Sequence, residues 1–223
     1  MALPFTAEQF FGLFRTYNET VWPAQWALLA LALVAIYLAT CPSSGSSRTI
    51  SAILGALWLW LGLAYHLAFF ASINPLAYAF SAISVAGGLV FFWLGVVRQG
   101  LCFRLSLRSR GLMGLFLVVF SLVLYPVWSS QAGHPYPELP TFGLPCPTTI
   151  FTLGMLAFLA PPYPRAALVV LILWCLVGVQ AAFLLDVPQD LGLLVAAATG
   201  VFLLVKNPTV ASQGDQASDI SRS

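Results

Sequence analysis

Residues 50–72 read ISAILGALWLWLGLAYHLAFFAS, a stretch without a single Asp, Glu, Lys or Arg. The hydrocarbon core of a bilayer is about 30 Å thick, and a helix that crosses it needs roughly 20 apolar residues. A helix can do so because it pairs its backbone N–H and C=O groups within the segment, away from water. The stretch therefore predicts a transmembrane helix, and its pattern recurs along the chain.

The composition excludes an ordinary soluble domain. Only 7% of the residues are charged and 60% are hydrophobic, whereas about a quarter of a typical soluble domain is charged. We predict an all-α fold, an integral membrane helical bundle with seven transmembrane helices. The predicted spans are Trp22–Thr40, Ile50–Ser72, Pro75–Val97, Gly111–Trp128, Pro147–Ala160, Arg165–Leu185 and Leu191–Val205.

The fifth predicted span is short. At 1.5 Å per residue, Pro147–Ala160 covers only about 21 Å. If it crosses, it tilts little, thins the bilayer locally or starts below the membrane surface. Alternatively, it is a re-entrant loop, and the chain then has six spans.

The basic residues predict the orientation, because short cytoplasmic loops carry an excess of Lys and Arg. With seven spans, eight of the nine basic residues fall on one side: Arg48, Arg98, Arg104, Arg108, Arg110, Arg165, Lys206 and Arg222. With six spans the division is five against four. We therefore predict an N-terminus outside, a cytoplasmic C-terminus and a bacterial inner-membrane location.

The flanking segments complete the predicted organisation. Residues 1–20 place aromatic side chains at helical spacing, which is typical of an interfacial amphipathic helix or of a helix packed on the mouth of the bundle. Residues 21–206 form the predicted transmembrane domain, and the polar residues 207–223 a disordered cytoplasmic tail. The predicted partners are the bilayer and a homo-oligomer or membrane complex, with no nucleic acid. We expect anionic lipid headgroups near Arg98, Arg104, Arg108 and Arg110.

Polar residues within the predicted spans are concentrated in the outer half of the membrane. They are Gln25, His66, Asn74, Tyr78, Tyr125, Thr148, Thr149, Thr152 and Gln180. A water-accessible cavity open to the outside produces this pattern, and so does ordinary interfacial placement. The inner halves are nearly all apolar, which counts against a simple ion channel.

The proline-rich loop 131–147 predicts a structured lid that leads into the short helix, with Cys146 at or near its cap and Pro147 in its first turn. A thiol at a helix N-terminus has its thiolate stabilised, which makes it a better nucleophile and soft-metal ligand. The same helix end also suits an anion or a substrate carboxylate, with hydroxyl donors from Thr148, Thr149 and Thr152.

Two histidines, His66 and His134, map to the same side as Cys146. A Cys/His site, metal-binding or redox-active, with Glu138 as a further ligand or proton acceptor is one interpretation, and Asn74 and Gln180 are further candidate ligands. The alternative is that Cys146 only caps a helix and His66 hydrogen-bonds a neighbour. The cysteine spacings match no zinc signature, and the sequence assigns no cofactor.

Several motifs carry a resemblance to a known family. They lie in Phe5–Phe11, Tyr17–Pro23, Tyr65–Phe70, Gly133–Pro137 and, above all, Phe142–Thr152 with its Pro-Cys-Pro-Thr-Thr segment. From near its start to about Val205 the chain resembles an uncharacterised bacterial membrane family, domain of unknown function 6064. The resemblance implies an inner-membrane protein of unassigned activity and supplies no catalytic residues.

Three hypotheses follow for the function. The first is a transporter-like protein that takes a small solute or soft metal from an outward-facing site around the Pro-Cys-Pro-Thr-Thr helix start. The second is a membrane-embedded thiol or metal-dependent enzyme. The third is a non-catalytic subunit of a membrane complex.

Overall fold

The computed structural model describes residues 4–106 and 108–206, and its regular elements are helical apart from two isolated bridge pairs. The predicted all-α fold class is confirmed. The predicted tail, residues 207–223, lies outside the described residues. The helices are α1 (Ala7–Thr20), α2 (Ala24–Thr40), α3 (Ser46–Ser72), α4 (Ala77–Val97), α5 (Ser109–Gln131), α6 (Pro145–Ala157), α7 (Arg165–Leu184) and α8 (Pro188–Val205).

Five of these helices are long and apolar enough to cross a membrane, namely α3, α4, α5, α7 and α8. Helices α1 and α2 meet at an angle of 86° and count as a sixth candidate when taken together. Helix α6 has only 13 residues. The chain thus has five or six candidate membrane spans, while the seven-span topology and the orientation remain predictions.

Helix α1 covers one end of the bundle. Its start is fixed by a capping box, in which Gln9 N donates to Thr6 Oγ1 (3.2 Å) and Thr6 N donates to Gln9 Oε1 (2.9 Å). This arrangement satisfies two backbone donors that a helix start leaves free. The apolar face of α1 is buried against α3, where the rings of Tyr17 and Tyr65 lie 5.5 Å apart. The structure therefore shows this helix packed on the mouth of the bundle.

Helix α6 lies at the centre, and nearly all of its residues are buried. It crosses α5 at two glycines: a Cβ on Gly154 would lie 2.9 Å from the Gly114 carbonyl oxygen. Small residues allow helix backbones to approach closely inside membrane proteins. The short helix is therefore surrounded by protein rather than by lipid.

Non-helical backbone covers the C-terminal end of α6. Arg104 N donates to Phe158 O (2.9 Å), and Ala160 N donates to Cys102 O (2.8 Å). Backbone of this kind is tolerated at membrane depth only where protein groups satisfy it. These bonds bring the basic loop after α4 together with the loop after α6, at the end of the bundle opposite to α1.

Two long helices change to π-helical geometry close to the start of α6. The π segment of α3 is Leu61–Leu67, and that of α5 is Phe120–Leu124. The first contains Tyr65 and His66, and the second ends immediately before Tyr125. Such segments are frequent at functional sites. Both π segments place polar side chains in the region in which the sequence predicts a site.

Candidate functional site

A cavity of about 240 Å³ lies beside the start of α6, and we call it the α6 cavity. Four of the predicted site residues line it: Cys146, His66, Asn74 and Gln180. The rest of the lining is mostly aromatic or aliphatic, and includes Phe10, Phe14, Tyr65, Phe70, Phe80 and Trp174. Residues that are far apart in the chain, on α3, α6 and α7, therefore converge on one space.

His66 is the most buried of the predicted residues in the cavity wall, with 1% of its surface exposed. Neither of its ring nitrogens has a hydrogen-bond partner, and neither does the indole N–H of Trp174. The two rings lie 5.2 Å apart in an edge-to-face arrangement. Buried polar groups are normally paired, so two adjacent unpaired side chains indicate a place where another molecule can bind.

Cys146 is the second residue of α6, close to the cap at Leu144, and its polar neighbour is not one of the predicted site residues. The thiol donates a hydrogen bond to Asp190 Oδ2 at 3.4 Å. The thiol is partly buried, its neighbours in the cavity wall are mostly apolar, and the polar group beside it is an acidic side chain, so nothing there stabilises a thiolate. The expected activated thiolate is therefore corrected to a thiol that is held as a hydrogen-bond donor.

Asp190 belongs to a buried group that we call the Asp190 cluster, formed by Tyr125, Cys146 and Asp190. The Tyr125 hydroxyl donates to Asp190 Oδ1 at 2.5 Å, and only 1% of the Asp190 surface is exposed. Tyr65 and Cys175 lie close enough to interact electrostatically with the carboxylate. Among the described residues, Asp190 forms no ion pair, so hydrogen bonds alone satisfy it.

Sequence reasoning missed Asp190 because the last span was predicted to begin at Leu191. In the structure the helical segment begins at Pro188, which places the acidic side chain within the first turn of α8. A proline at this position is itself a signal for a helix start. An acidic residue just inside an apolar helix is in turn a signal for a functional site.

His134 and Glu138 lie apart from the α6 cavity, in a shallow depression next to α1. Arg15 Nη2 donates to Glu138 Oε1 at 2.5 Å, while His134 Nδ1 is 3.9 Å from Glu138 Oε2. The His134 ring stacks on Phe11 at 3.5 Å. Within residues 4–106 and 108–206, no three His, Cys, Asp or Glu side chains are placed to hold a metal. The structure does not bring the two histidines together.

The loop that carries His134 is fixed to the bundle, in keeping with the predicted lid. Asn18 Nδ2 donates to the carbonyl oxygens of Pro137 and Leu139, both at 2.7 Å, and its Oδ1 accepts from Thr141 at 2.7 Å. Asn18 is buried. Sequence reasoning did not single out this asparagine, which orders the loop through its side chain.

The three threonines of α6 are fully buried and do not line the cavity. Thr152 Oγ1 accepts a hydrogen bond from Trp58 Nε1 at 3.1 Å and donates to Thr148 O at 2.7 Å. The hydroxyls of Thr148 and Thr149 have no partner. The structure therefore places none of these three hydroxyls in the wall of the α6 cavity.

The contact between α1 and the loop should depend on pH. The hydrogen bond and charge of Arg15 lower the pKa of Glu138. A lowered pKa stabilises the folded contact above the ordinary value for glutamate, about 4.3. That stabilisation is lost as the pH falls through the lowered value. We expect the amide hydrogens of residues 131–144 to lose protection against exchange over this acidic range, when each measured rate is divided by the intrinsic rate at the same pH.

Matched variants isolate this effect. Glu138→Gln should remove the acid-induced loss of protection, whereas Glu8→Gln, which changes an exposed acidic residue of α1, should preserve it. Identical pH profiles for wild type and Glu138→Gln would rule out this carboxylate as the origin.

Comparison with known proteins supports the resemblance seen in the motifs. No curated protein and no solved structure matches the chain. A family model does match, and it covers residues 7–214, nearly the whole sequence. The chain therefore belongs to the family of unknown function DUF6064.

Proposed function

We propose that this protein is a multi-pass protein of the bacterial inner membrane that binds a small solute in the α6 cavity, as the first step of transporter-like uptake. The observation that carries the proposal is the convergence of Cys146, His66, Asn74 and Gln180 on one cavity whose histidine lacks hydrogen-bond partners. A largely apolar pocket with a few convergent polar groups is the usual form of a small-molecule site.

The distribution of polar groups favours binding followed by rearrangement over a continuous pore. A second cavity, of about 210 Å³, lies between α3, α4 and α7 and is lined by Trp58, Ile83, Ala86, Gly87, Val90, Phe91, Ala166, Ala167, Val170 and Leu171. None of these side chains is charged. The only polar side-chain atom among them is the Trp58 indole nitrogen, which already donates its hydrogen to Thr152 Oγ1. An ion has no partners there.

The enzyme hypothesis receives less support from the same geometry. A nucleophilic cysteine needs a neighbour that stabilises its thiolate, and the neighbour of Cys146 is a carboxylate. A metal-dependent mechanism needs several convergent ligands, and the described residues offer no such group. For the same reason, a small solute is a better candidate than a soft metal.

The cysteines provide a test of access and sidedness. Cys41 and Cys102 are exposed at the end of the bundle opposite to Cys146, and Cys175 is buried. Three variants, each keeping one of Cys41, Cys102 or Cys146, are treated in spheroplasts with a small membrane-impermeant methanethiosulfonate reagent. We expect the reagent to modify Cys146 in intact spheroplasts, and to modify Cys41 and Cys102 only after lysis.

Two results would overturn the proposal. If Cys41 and Cys102 react in intact spheroplasts, the opposite end of the bundle faces outward. If Cys146 reacts neither with this charged reagent nor, after lysis, with the small neutral reagent methyl methanethiosulfonate above about pH 8.5, where a free thiol ionises, while the other two cysteines react, the α6 cavity does not admit solutes.

A further inference from the structure

We infer that the ligand of the α6 cavity is a neutral, ring-bearing molecule with one hydroxyl or carbonyl oxygen, bound between the aromatic side chains with its oxygen at His66 and Trp174. This inference rests on the proposed function and specifies its substrate class.

The size and lining of the cavity favour a ring. A cavity of about 150 Å³ lined by apolar side chains is large enough to bind benzene, and the α6 cavity measures about 240 Å³. Its walls contain Phe70 and Phe80, whose rings are nearly parallel, and Trp174 stands edge-on to Phe80 at 5.0 Å. Aromatic side chains bind flat rings by stacked and edge-to-face contacts.

The unpaired polar groups favour an oxygen on that ring. The Trp174 indole can only donate a hydrogen bond, whereas a neutral histidine offers one donor and one acceptor. A hydroxyl oxygen can therefore accept from Trp174 while its hydrogen is donated to His66. A carbonyl oxygen can accept from both side chains. Either group pairs polar atoms that the protein itself leaves unpaired.

The charges around the cavity favour a neutral ligand. None of the described residues that line it is Asp, Glu, Lys or Arg. Asp190 lies behind Cys146 and does not line the cavity. Its two carboxyl oxygens accept hydrogen bonds from Tyr125 and Cys146, so no acidic group faces a cation in the cavity. A charge buried without a direct partner is costly.

The rim of the cavity indicates how such a molecule enters. It contains the exposed aliphatic side chains Leu76, Val177 and Leu184 together with the exposed amide Gln180. An apolar rim with one polar group suits a solute that concentrates at the membrane interface. A neutral ring with one oxygen has this property, because its ring is apolar and its oxygen is polar.

Four probes with the same ring system test the ligand class. They are 2-naphthol, naphthalene, 2-naphthoate and 1-naphthylmethylammonium, and their binding to the full-length protein in nanodiscs is measured by equilibrium dialysis against empty nanodiscs. We expect saturable binding of 2-naphthol, about tenfold weaker binding of naphthalene for the loss of one hydrogen-bonding group, and no saturable binding of the charged probes.

Matched variants locate the binding. His66→Phe and Trp174→Phe keep an aromatic side chain and remove the polar atoms, so each should weaken 2-naphthol binding several-fold and leave naphthalene binding unchanged. Trp128→Phe, a change at a partly exposed indole of α5 outside the cavity, should alter neither.

The outcomes separate this inference from the proposed function. Tighter binding of either charged probe, or equal effects of His66→Phe on 2-naphthol and naphthalene, would overturn the ligand class and leave a solute-binding cavity. If no probe binds while Cys146 reacts with the thiol reagent, the inference again fails alone. If no probe binds and Cys146 is also unreactive, both fail.

Discussion

Replacement of Asp190 with alanine is expected to lower the free energy of unfolding by about 2 to 4 kcal/mol, because it leaves two donors without an acceptor in the protein interior. The Tyr125 hydroxyl is fully buried and donates to Asp190 Oδ1, and the Cys146 thiol donates to Oδ2. The effect is measured by unfolding in mixed micelles with increasing sodium dodecyl sulfate, followed by circular dichroism.

Two further variants separate the hydrogen bonds from the charge. Asp190→Asn keeps an oxygen acceptor for Tyr125, so it should recover most of the lost stability. Tyr125→Phe removes the stronger donor, and its combination with Asp190→Ala should cost less than the sum of the single changes, because the two residues share one interaction. A cost below 0.5 kcal/mol for Asp190→Ala, the usual range of a surface change, would show that the Asp190 cluster does not stabilise the fold.

The long helices of this bundle are predictable because hydrophobic length alone determines them. The predicted span Ile50–Ser72 falls within α3, and Pro75–Val97 differs from α4 by two residues at its start. The last span is predicted to begin at Leu191, whereas the helical segment begins at Pro188. Asp190 lies inside the helix start because Tyr125 and Cys146 supply the hydrogen bonds that water would otherwise provide.

The short helix α6 shows where span length misleads. Its 13 residues are enclosed because the loop before it is held to the bundle by Asn18, and the loop after it pairs its backbone groups with the loop after α4. Hydropathy reports how apolar a segment is, but it does not report what surrounds that segment. Only the packed structure shows that α6 is enclosed by other helices.

The candidate site was predictable in part, because the positions of polar residues along the helices can be read from the sequence. Polar residues that lie in the same half of neighbouring helices collect at one end of a bundle, so Cys146, His66, Asn74 and Gln180 meet there. Which loop residue faces which helix is set by pairings over a hundred residues apart, such as that between Arg15 and Glu138. A single sequence contains no signal for such pairings, so it does not show that His134 lies apart from Cys146 and His66.

The substitution Thr152→Val should destabilise the protein by about 1 to 2 kcal/mol, since it removes a buried hydrogen-bond partner between two helices. Trp58 Nε1 donates to Thr152 Oγ1, and Trp58 is itself buried. Valine has the shape of threonine and the same branching at Cβ, so packing and helix propensity change little. The bond from Thr152 Oγ1 to Thr148 O is lost as well, but that carbonyl lies within the helix, where the backbone N–H four residues on pairs with it. The loss is therefore assigned mainly to the unpaired indole N–H, and is measured by the same micellar unfolding.

Thr149→Val is the matched control, because the Thr149 hydroxyl is equally buried on the same helix but has no hydrogen-bond partner. Replacing that hydroxyl with a methyl group removes an unpaired polar atom, so the control should be neutral or slightly stabilising. Equal losses for Thr152→Val and Thr149→Val would mean that the hydroxyls of α6 act through a common partner, such as bound water, rather than through Trp58. A loss confined to Thr152→Val would establish that this bond joins α6 to α3, the helix that carries His66 into the cavity wall.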